Sequence, residues 1–369
     1  EDFVARIQPR PLDRDRPLWE MYIVEGLEHG RFAIVTKTHH ALVDGVNALD
    51  IGHVLVNDSP GWEKPGPDLW SPRPAPHEAK LVADALLESV KAPGLMIDAV
   101  RGGMTEVREI GGKVLSGIGS LVSTVARGAA APAPTSPLNA PVGSARRFVM
   151  VGTDLADYRR VRNRLARGIH ANDVVLATIS GAFRSWLLTR GAPVHSATVV
   201  RALVPVSVEA EGSEGLSQLS ACLVDLPVGE PAASMRLHQI AFHMRQQIEG
   251  GRAVGADRLA GLAGFASPTL HSMGARLGNA MSKRLFNVIV TNVPGPQSPL
   301  YAGDARMIAT YPVIPLAKGQ ALAIGLTSYD GGVYFGLNAD RDAMPDLDVL
   351  GQSIVDSLAE LADAGEVPR

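Results

Sequence analysis

The sequence predicts a large mixed α/β protein, because strand-like and helix-like segments alternate along its second half. Residues 171–190, ANDVVLATISGAFRSWLLTR, place their apolar residues along one helical stripe, and Gly191 follows at the expected helix end. Residues 197–208, ATVVRALVPVSV, are an almost unbroken apolar run, which indicates a strand buried on both faces.

The first half begins with a predicted hairpin. Residues 18–25, LWEMYIVE, and 31–38, RFAIVTKT, are rich in β-branched and aromatic residues, and the glycines of GLEHG between them suit a turn. Residues 44–56 then show helical spacing. The proline-dense residues 57–77 exclude a regular element, and residues 78–127 return to a helical pattern interrupted by glycines.

The uncharged, proline-rich residues 128–144 read as a linker, so we place the boundary between two halves there. Asp154 caps a predicted helix that runs through Leu165. The other elements predicted in the second half are strands at 146–154, 285–293, 321–329 and 332–339 and helices near 233–250, 268–283 and 346–364.

Composition limits the possible functions. The chain has 369 residues, 46% of them hydrophobic, which suits a globular protein of two domains or two halves. A net charge of −3 is unlike that of a nucleic-acid-binding protein, which needs a basic face. The single cysteine, Cys222, lies in an apolar run and reads as a core residue, with no disulfide and no cysteine-based metal site. The sequence has no run of 18 or more apolar residues, so it predicts no membrane-spanning helix.

Side chains that could take part in catalysis are grouped in residues 36–45, TKTHHALVDG, at the end of the second predicted strand. A histidine can take up and return a proton near neutral pH, as the activation of a hydroxyl for attack on an ester or thioester requires. Two other interpretations stay open at this point. Adjacent histidines are often solvated or satisfied within a core, and His39, His40 and Asp44 could bind zinc if a further ligand such as His53 joined them.

HHALVDG resembles the HHxxxDG signature of the bacterial wax ester synthase/acyl-CoA:diacylglycerol acyltransferase family. Further blocks resemble those of the family in the same order along the chain. They are the PLW block at 17–45, the ND motif in HANDVVLA at 170–177, RALVPVSV at 201–208 and NVIVTNVPGPQSPLYAGDARM at 287–307.

The resemblance implies an α/β fold of two chloramphenicol-acetyltransferase-like halves with an active-site channel between them. It also implies transfer of a fatty acyl group from acyl-CoA to diacylglycerol or a long-chain alcohol, with no metal and no cofactor. The family has more sequence before its PLW block, so we expect the N-terminal half to be incomplete here. We expect residues 1–77 to be the last part of the N-terminal half and to carry the histidine motif. Residues 78–145 are then a helical connector and a linker between the halves, and residues 146–369 form the C-terminal half. The missing N-terminal segment is a possible binding partner of this chain.

His40 is the expected general base, and His39 the expected support of its loop. We assign Asp44 a structural role and Gly45 a backbone twist that a Cβ would prevent. Arg201 is one of the few charges in an apolar strand, and a buried charge needs a partner. We therefore predict an Asp44–Arg201 salt bridge, although Arg201 could instead reach solvent at the strand end.

Four residues are weaker candidates for binding substrate or stabilising an oxyanion. Asn172 and Asp173 form the ND motif, but Asn172 could simply be a helix N-cap and Asp173 could favour the positive helix end. Thr291 and Asn292 could supply polar donors, or could only shape the turn of TNVPGP.

Other functions remain open beside the acyltransferase. One is a catalytically silent lipid-binding or scaffold protein of the same fold, and another is a condensation-type domain, which also carries HHxxxDG. Lipid substrates imply a cytoplasmic protein held peripherally at the inner face of the membrane or at lipid droplets. Residues 78–127 could make that contact, or could pack in the core between the halves.

Overall fold

A computed structural model shows that the chain forms two compact units, Glu1–Gly61 with Pro132–Arg369, and Trp62–Ala131. Of the second unit, only Ser71 and Lys80 are described. The residues that the structure describes are 1–39, 55–61, 71, 80, 132–165, 168–209, 217–249, 254–255 and 285–364. The helices predicted within 44–56, 78–127 and 268–283 lie outside them.

The first unit opens with a short helix, α1 (Asp2–Ile7), and an antiparallel hairpin of β1 (Trp19–Leu27) and β2 (Arg31–Thr38). A 3₁₀ turn at Glu28–Gly30 joins the two strands, and Gly30 adopts a φ of +66°, which suits a residue without a Cβ. The ring of Phe3 packs edge-on against Tyr22 at 5.4 Å, so α1 lies against the hairpin. The predicted hairpin is confirmed.

A mixed seven-stranded sheet is the main element of the same unit. Its strands are β3 (Arg146–Asp154), β4 (Val200–Glu209), β5 (Ser217–Leu226), β6 (Val254–Gly255), β7 (Val288–Pro294), β10 (Leu322–Tyr329) and β11 (Gly332–Asp340). The strand order is β3-β11-β10-β7-β4-β5-β6. Strand β7 runs parallel to both β4 and β10, and the other pairs are antiparallel. A small separate hairpin of β8 (Tyr301–Ala302) and β9 (Ala305–Arg306) lies between β7 and β10 in the sequence.

Helices pack against one face of this sheet. These helices are α2 (Leu155–Leu165), α3 (Ala171–Thr189), α4 (Ala233–Glu249) and α5 (Leu347–Ala364). The central helix, α3, is buried along most of its length and contacts α2, α4 and α5, while α5 also packs on β3 and α4 on β5. Each agrees with a predicted helix to within one or two residues. The core lies between these helices and the inward-facing strand residues.

The prediction that β4 is buried on both faces is wrong for residues 200–205. Val200, Ala202 and Val204 are buried beneath the helices, whereas Arg201 and Leu203 are half-buried on the opposite face. Successive side chains of a strand point to opposite faces, so only one set meets the helical layer. The run is nearly unbroken because Leu203 and Pro205 on the second face are also apolar, and not because helices cover both faces.

Residues 312–314 cover part of the face opposite the helices. An added Cβ on Gly336 would lie 1.9 Å from the carbonyl oxygen of Pro312, and one on Gly325 would lie 2.7 Å from Cγ1 of Ile314. The two glycines face each other across β10 and β11. Here the missing side chain allows a segment of chain to approach the sheet closely.

None of the helices among the described residues is long and apolar enough to cross a bilayer.

Candidate functional site

The histidine motif follows directly from β2. The backbone N–H of His39 donates to the carbonyl of Leu18 at 2.9 Å, which continues the pairing of the hairpin, and the His39 side chain is exposed. His40, Asp44 and Gly45 lie outside the described residues. Their assigned roles therefore stay predictions.

The segment that follows the motif in sequence pairs with β8. Asn57 and Tyr301 exchange two backbone hydrogen bonds of 2.8 Å, and the N–H of Gly61 donates to the carbonyl of Gly303 at 3.1 Å. Tyr301 begins β8, in the block that follows TNVPGP. This pairing brings the segment downstream of the histidine motif beside the segment downstream of the predicted turn.

The ND motif meets β7 through a side-chain contact. Nδ2 of Asn292 donates to Oδ1 of Asn172 at 3.2 Å. Asn292 follows Val288 and Val290 on the face of β7 that the helices cover, and Asn172 lies in the first turn of α3. Two residues 120 positions apart, which the sequence indicated separately, are thus in contact.

The interpretation of Asn172 as a helix N-cap is wrong, because the cap is His170 and α3 begins at Ala171. Asn172 is the second helical residue, so its side chain is available for the contact with Asn292. Among the described residues, nothing accepts a hydrogen bond from the Asn172 side-chain NH₂.

Asp173 supports the start of α3. Its Oδ2 accepts a 2.8 Å hydrogen bond from the backbone N–H of His170, as the third helical residue does in a capping box. The carboxyl group is buried, and burial raises its pKa, although the hydrogen bond from His170 and the charges of His170 and Arg245 act in the opposite direction. This geometry supports the predicted preference of Asp173 for the helix start.

Thr291 and Asn292 point to opposite faces of β7, since neighbouring residues of a strand alternate. Leu203 of β4 pairs with Ile289 of β7, so these two side chains lie on the same face of the sheet. Arg201 lies two residues before Leu203 and Thr291 two residues after Ile289, so both lie on that face as well. The turn predicted within TNVPGP is wrong for residues 291–294, which continue β7 through Pro294, and the Gly295 N–H extends the pairing with β10 by donating to the Ser328 carbonyl at 3.0 Å. The two candidates therefore cannot act from the same side of the sheet.

Arg201 forms an ion pair that the sequence analysis did not name. Its Nε lies 2.6 Å from Oδ1 of Asp225, and its Nη2 lies 3.1 Å from Oδ2. The two residues are direct cross-strand partners of β4 and β5. A signal was present, because Asp225 is an isolated charge in the apolar run that follows β4, as Arg201 is within β4. Asp44 lies outside the described residues, so the Asp44–Arg201 pair stays a prediction.

Asn287 was also missed as an individual residue. It is fully buried at the start of β7, and its side chain binds the backbone N–H of Arg201 at 2.7 Å.

Cys222 is buried as expected, and burial raises the pKa of its thiol. Within the described part of the chain, no group of three His, Cys, Asp or Glu side chains could hold a metal ion.

Family comparison covers most of the chain. Residues 1–175 match the family model described as the wax ester synthase/diacylglycerol acyltransferase catalytic domain, and residues 217–362 match the C-terminal domain of the same family. A probable diacylglycerol O-acyltransferase of Mycobacterium tuberculosis, tgs2, is 31% identical over 377 residues, which cover 98% of this chain and 77% of the relative. A second from that organism, tgs1, is 29% identical over 362 residues, covering 98% and 74%.

Solved structures agree with this comparison. The wax ester synthase/diacylglycerol acyltransferase from Marinobacter aquaeolei VT8 is similar with a TM-score of 0.66 and 27% identity, covering 99% of this chain and 76% of that one. A nonribosomal peptide synthetase, FmoA3, is similar over 98% of this chain and 34% of its own, with a TM-score of 0.50 and 16% identity. The second likeness shows a shared fold and nothing more.

Proposed function

Because the chain belongs to the wax ester synthase/diacylglycerol acyltransferase family and is an O-acyltransferase, we propose that it transfers a long-chain fatty acyl group from acyl-CoA to the hydroxyl of diacylglycerol or of a long-chain alcohol. One observation carries the residue assignment. The segment after HHALVDG pairs with β8, in the block after TNVPGP, while Asn292 of TNVPGP bonds Asn172 of the ND motif. Three separate sequence blocks are thereby tied into one unit.

His40 acts as the general base in this proposal. Its imidazole takes the proton from the acceptor hydroxyl as the oxygen attacks the thioester carbonyl carbon. The tetrahedral intermediate then loses the carbon–sulfur bond, and the proton on His40 passes to the departing CoA thiolate. The products are an ester and free CoA, with no net proton released. A single imidazole suffices because the thioester is already activated, so neither a metal nor an acyl-enzyme is needed.

Asn172 is the strongest candidate for a donor to the developing oxyanion. Its Oδ1 is engaged by Asn292, which fixes the orientation of the amide and directs its NH₂ away from that contact. A donor held before the reaction stabilises the intermediate without reorganising. Asn292 then serves to orient Asn172, and Asp173 to hold the first turn of the helix.

Arg201 is proposed to hold the histidine loop through Asp44. A guanidinium group has five N–H donors. Nε and Nη2 of Arg201 donate to Asp225, and in this proposal the same guanidinium group also binds Asp44. Asp225 keeps the planar fork in one orientation, which lowers the entropic cost of binding Asp44. Gly45 gives the loop its backbone freedom.

The lipid substrates also lead us to propose peripheral attachment to the cytoplasmic face of a membrane or to a lipid droplet. Both acceptors partition into such phases, so an enzyme that binds their surface meets them at high local concentration. Flotation with vesicles or droplets, compared with a sample lacking lipid, tests this part of the proposal.

The function itself is tested by acyl transfer from palmitoyl-CoA with diacylglycerol or hexadecanol as acceptor. Both CoA thiol release and ester formation are measured for the wild-type chain and for His40→Ala. We expect acceptor-dependent release by the wild type and a loss of about 100-fold or more in the variant. Equal rates would remove His40 as the base. No transfer by folded wild-type protein would contradict the function and favour a lipid-binding scaffold.

A further inference from the structure

The amide of Asn287 is fully buried where β7 begins, on the strand next to Arg201. We propose that Asn287 is a positioning residue for acyl transfer, which sets the backbone of Arg201 so that its side chain can hold the histidine loop. This inference rests on the proposed function. Asn287 would not touch the substrate itself, and would act through Arg201, which the proposed function assigns to the site.

Asn287 binds both backbone groups of Arg201. The N–H of Arg201 donates to Oδ1 of Asn287 at 2.7 Å, and the backbone N–H of Asn287 donates to the carbonyl of Arg201 at 2.8 Å. The regular ladder of β4 and β7 begins one residue later, with Ala202 opposite Val288. The Asn287 side chain therefore supplies the acceptor at the point where the ladder lacks one.

The other end of the amide binds the linker before β3. Nδ2 of Asn287 donates to the carbonyl of Pro134 at 2.8 Å and to Oδ1 of Asn139. Nδ2 of Asn139 in turn donates to the carbonyl of Phe286 at 3.2 Å. The linker, β4 and β7 are thus joined through one side chain.

These partners determine which residue type fits at this position. A backbone N–H can only donate and a carbonyl can only accept, so position 287 must offer one acceptor and two donors in a small volume. Asparagine does so. Aspartate would face the Pro134 carbonyl without a proton to donate, and leucine would leave the Arg201 N–H unsatisfied in a buried site.

Arg201 transmits this constraint to the site. Its side chain lies on the face opposite the helices and is fixed to Asp225 at 2.6 Å, so a displacement of the Arg201 backbone shifts the ion pair as a whole. Errors of about 1 Å in groups that position a catalytic residue can lower a rate by as much as 100-fold. Asn287 therefore affects the chemical step through the position of Arg201.

Asn338 provides a matched control. It is also fully buried, lies two strands away in β11, and its Nδ2 donates to the carbonyl of Ile314 at 2.8 Å. It has no hydrogen bond to Arg201. Replacing either asparagine by alanine removes a buried amide and lowers stability, but only one of the changes acts on Arg201.

The test is a double-mutant cycle with Asn287→Ala and Arg201→Lys, with Asn338→Ala measured in parallel. The acyl-transfer kcat, the KM for palmitoyl-CoA and the thermal midpoint are determined for each protein. We expect Asn287→Ala to lower kcat about tenfold with little change in KM, and to have an effect of less than about twofold when Arg201 is already lysine. Asn338→Ala should lower the midpoint while kcat stays within about twofold of the wild type.

Two results would overturn the inference: multiplicative effects of the two substitutions, or an equal loss of kcat in Asn338→Ala. If Asn287→Ala does not fold, Asn287→Ser replaces it in the same cycle with the same expectations. Inactive wild-type protein would instead refute the proposed function, and this inference with it. Active wild-type protein with no coupling to Arg201 refutes this inference alone.

Discussion

At the scale of single residues, the contact between Asn172 and Asn292 decides which atoms are available for chemistry. The 3.2 Å hydrogen bond uses the carbonyl oxygen of Asn172 and leaves its NH₂ as a donor. The same contact joins the ND motif on α3 to the TNVPGP block on β7.

Asn172→Asp tests the donor role directly. The carboxylate still accepts the hydrogen bond from Asn292, so the fold is retained, but the NH₂ is lost. We expect kcat to fall about 100-fold with an unchanged circular dichroism spectrum, because the loss of one oxyanion donor typically costs this much. Asn172→Asp activity close to that of the wild type, in acyl transfer to diacylglycerol or hexadecanol, would limit Asn172 to a structural role.

Asp173 leads to a prediction about pH. Burial raises its pKa in the folded state, so the folded protein binds this proton more tightly than the unfolded chain does. The contribution of Asp173 to the free energy of unfolding is therefore largest at acid pH and declines as pH rises through the raised pKa. Asp173→Asn keeps an oxygen for the His170 N–H but carries no charge.

Urea unfolding of wild type and Asp173→Asn between pH 4 and 7 measures this difference. The stability of the variant relative to the wild type should increase with pH and then level off. Asp173→Ala, which lacks the acceptor, should be less stable than Asp173→Asn by about 1 kcal/mol across the range. A relative stability of Asp173→Asn that decreases with rising pH would contradict the assignment.

At the scale of elements, strand alternation divides the candidate residues between two faces of one sheet. Asn292 lies on the helical face with Asn172, while Thr291 and Arg201 lie on the opposite face. The second face is partly covered by residues 312–314, which pass over Gly336 and Gly325. Gly325 is the cross-strand partner of Thr291, so this covering segment lies over the strand next to Thr291.

Gly336→Ala tests the close approach of that segment. Its new Cβ would meet the backbone carbonyl of Pro312 at 1.9 Å, and a backbone group cannot rotate away as a side chain can. We expect a loss of about 2–3 kcal/mol in the free energy of unfolding, measured in urea.

Gly152→Ala is the matched control for this substitution. An added Cβ there would be 3.6 Å from the nearest atoms, which is an ordinary contact. The change should therefore stay within about 0.5 kcal/mol. Losses of equal size in the two variants would mean that chain approach at Gly336 does not limit stability.

At the scale of the whole molecule, the sequence predicts elements better than contacts between them. Hydrophobic periodicity and glycines located α3, α5, β3 and the first hairpin closely, because these signals act over a few neighbouring residues. The burial of β4 was predicted wrongly, since an apolar run does not reveal what covers its second face. The partners Asp225 and Asn287 escaped prediction for the same reason, because their contacts depend on strand order.

The family resemblance supplied what local patterns could not. Periodicity alone leaves HHALVDG as a polar loop after a strand, and the resemblance assigns it chemistry. The described residues then place the flanking segments, at His39 and Asn57, in one compact unit. The proposed activity depends most on His40, whose imidazole moves the proton from the acceptor hydroxyl to the thiolate.

The pH dependence of kcat/KM for acyl transfer, measured for wild type, His40→Gln and His39→Gln, tests the claim that His40 is the base. A base must be unprotonated, so wild-type activity should fall toward acid pH along a single-proton limb. His40→Gln should lose about 100-fold or more of the rate and show no such limb, whereas His39→Gln should keep the limb. A His40→Gln variant that keeps both the wild-type rate and its acid limb would contradict the claim.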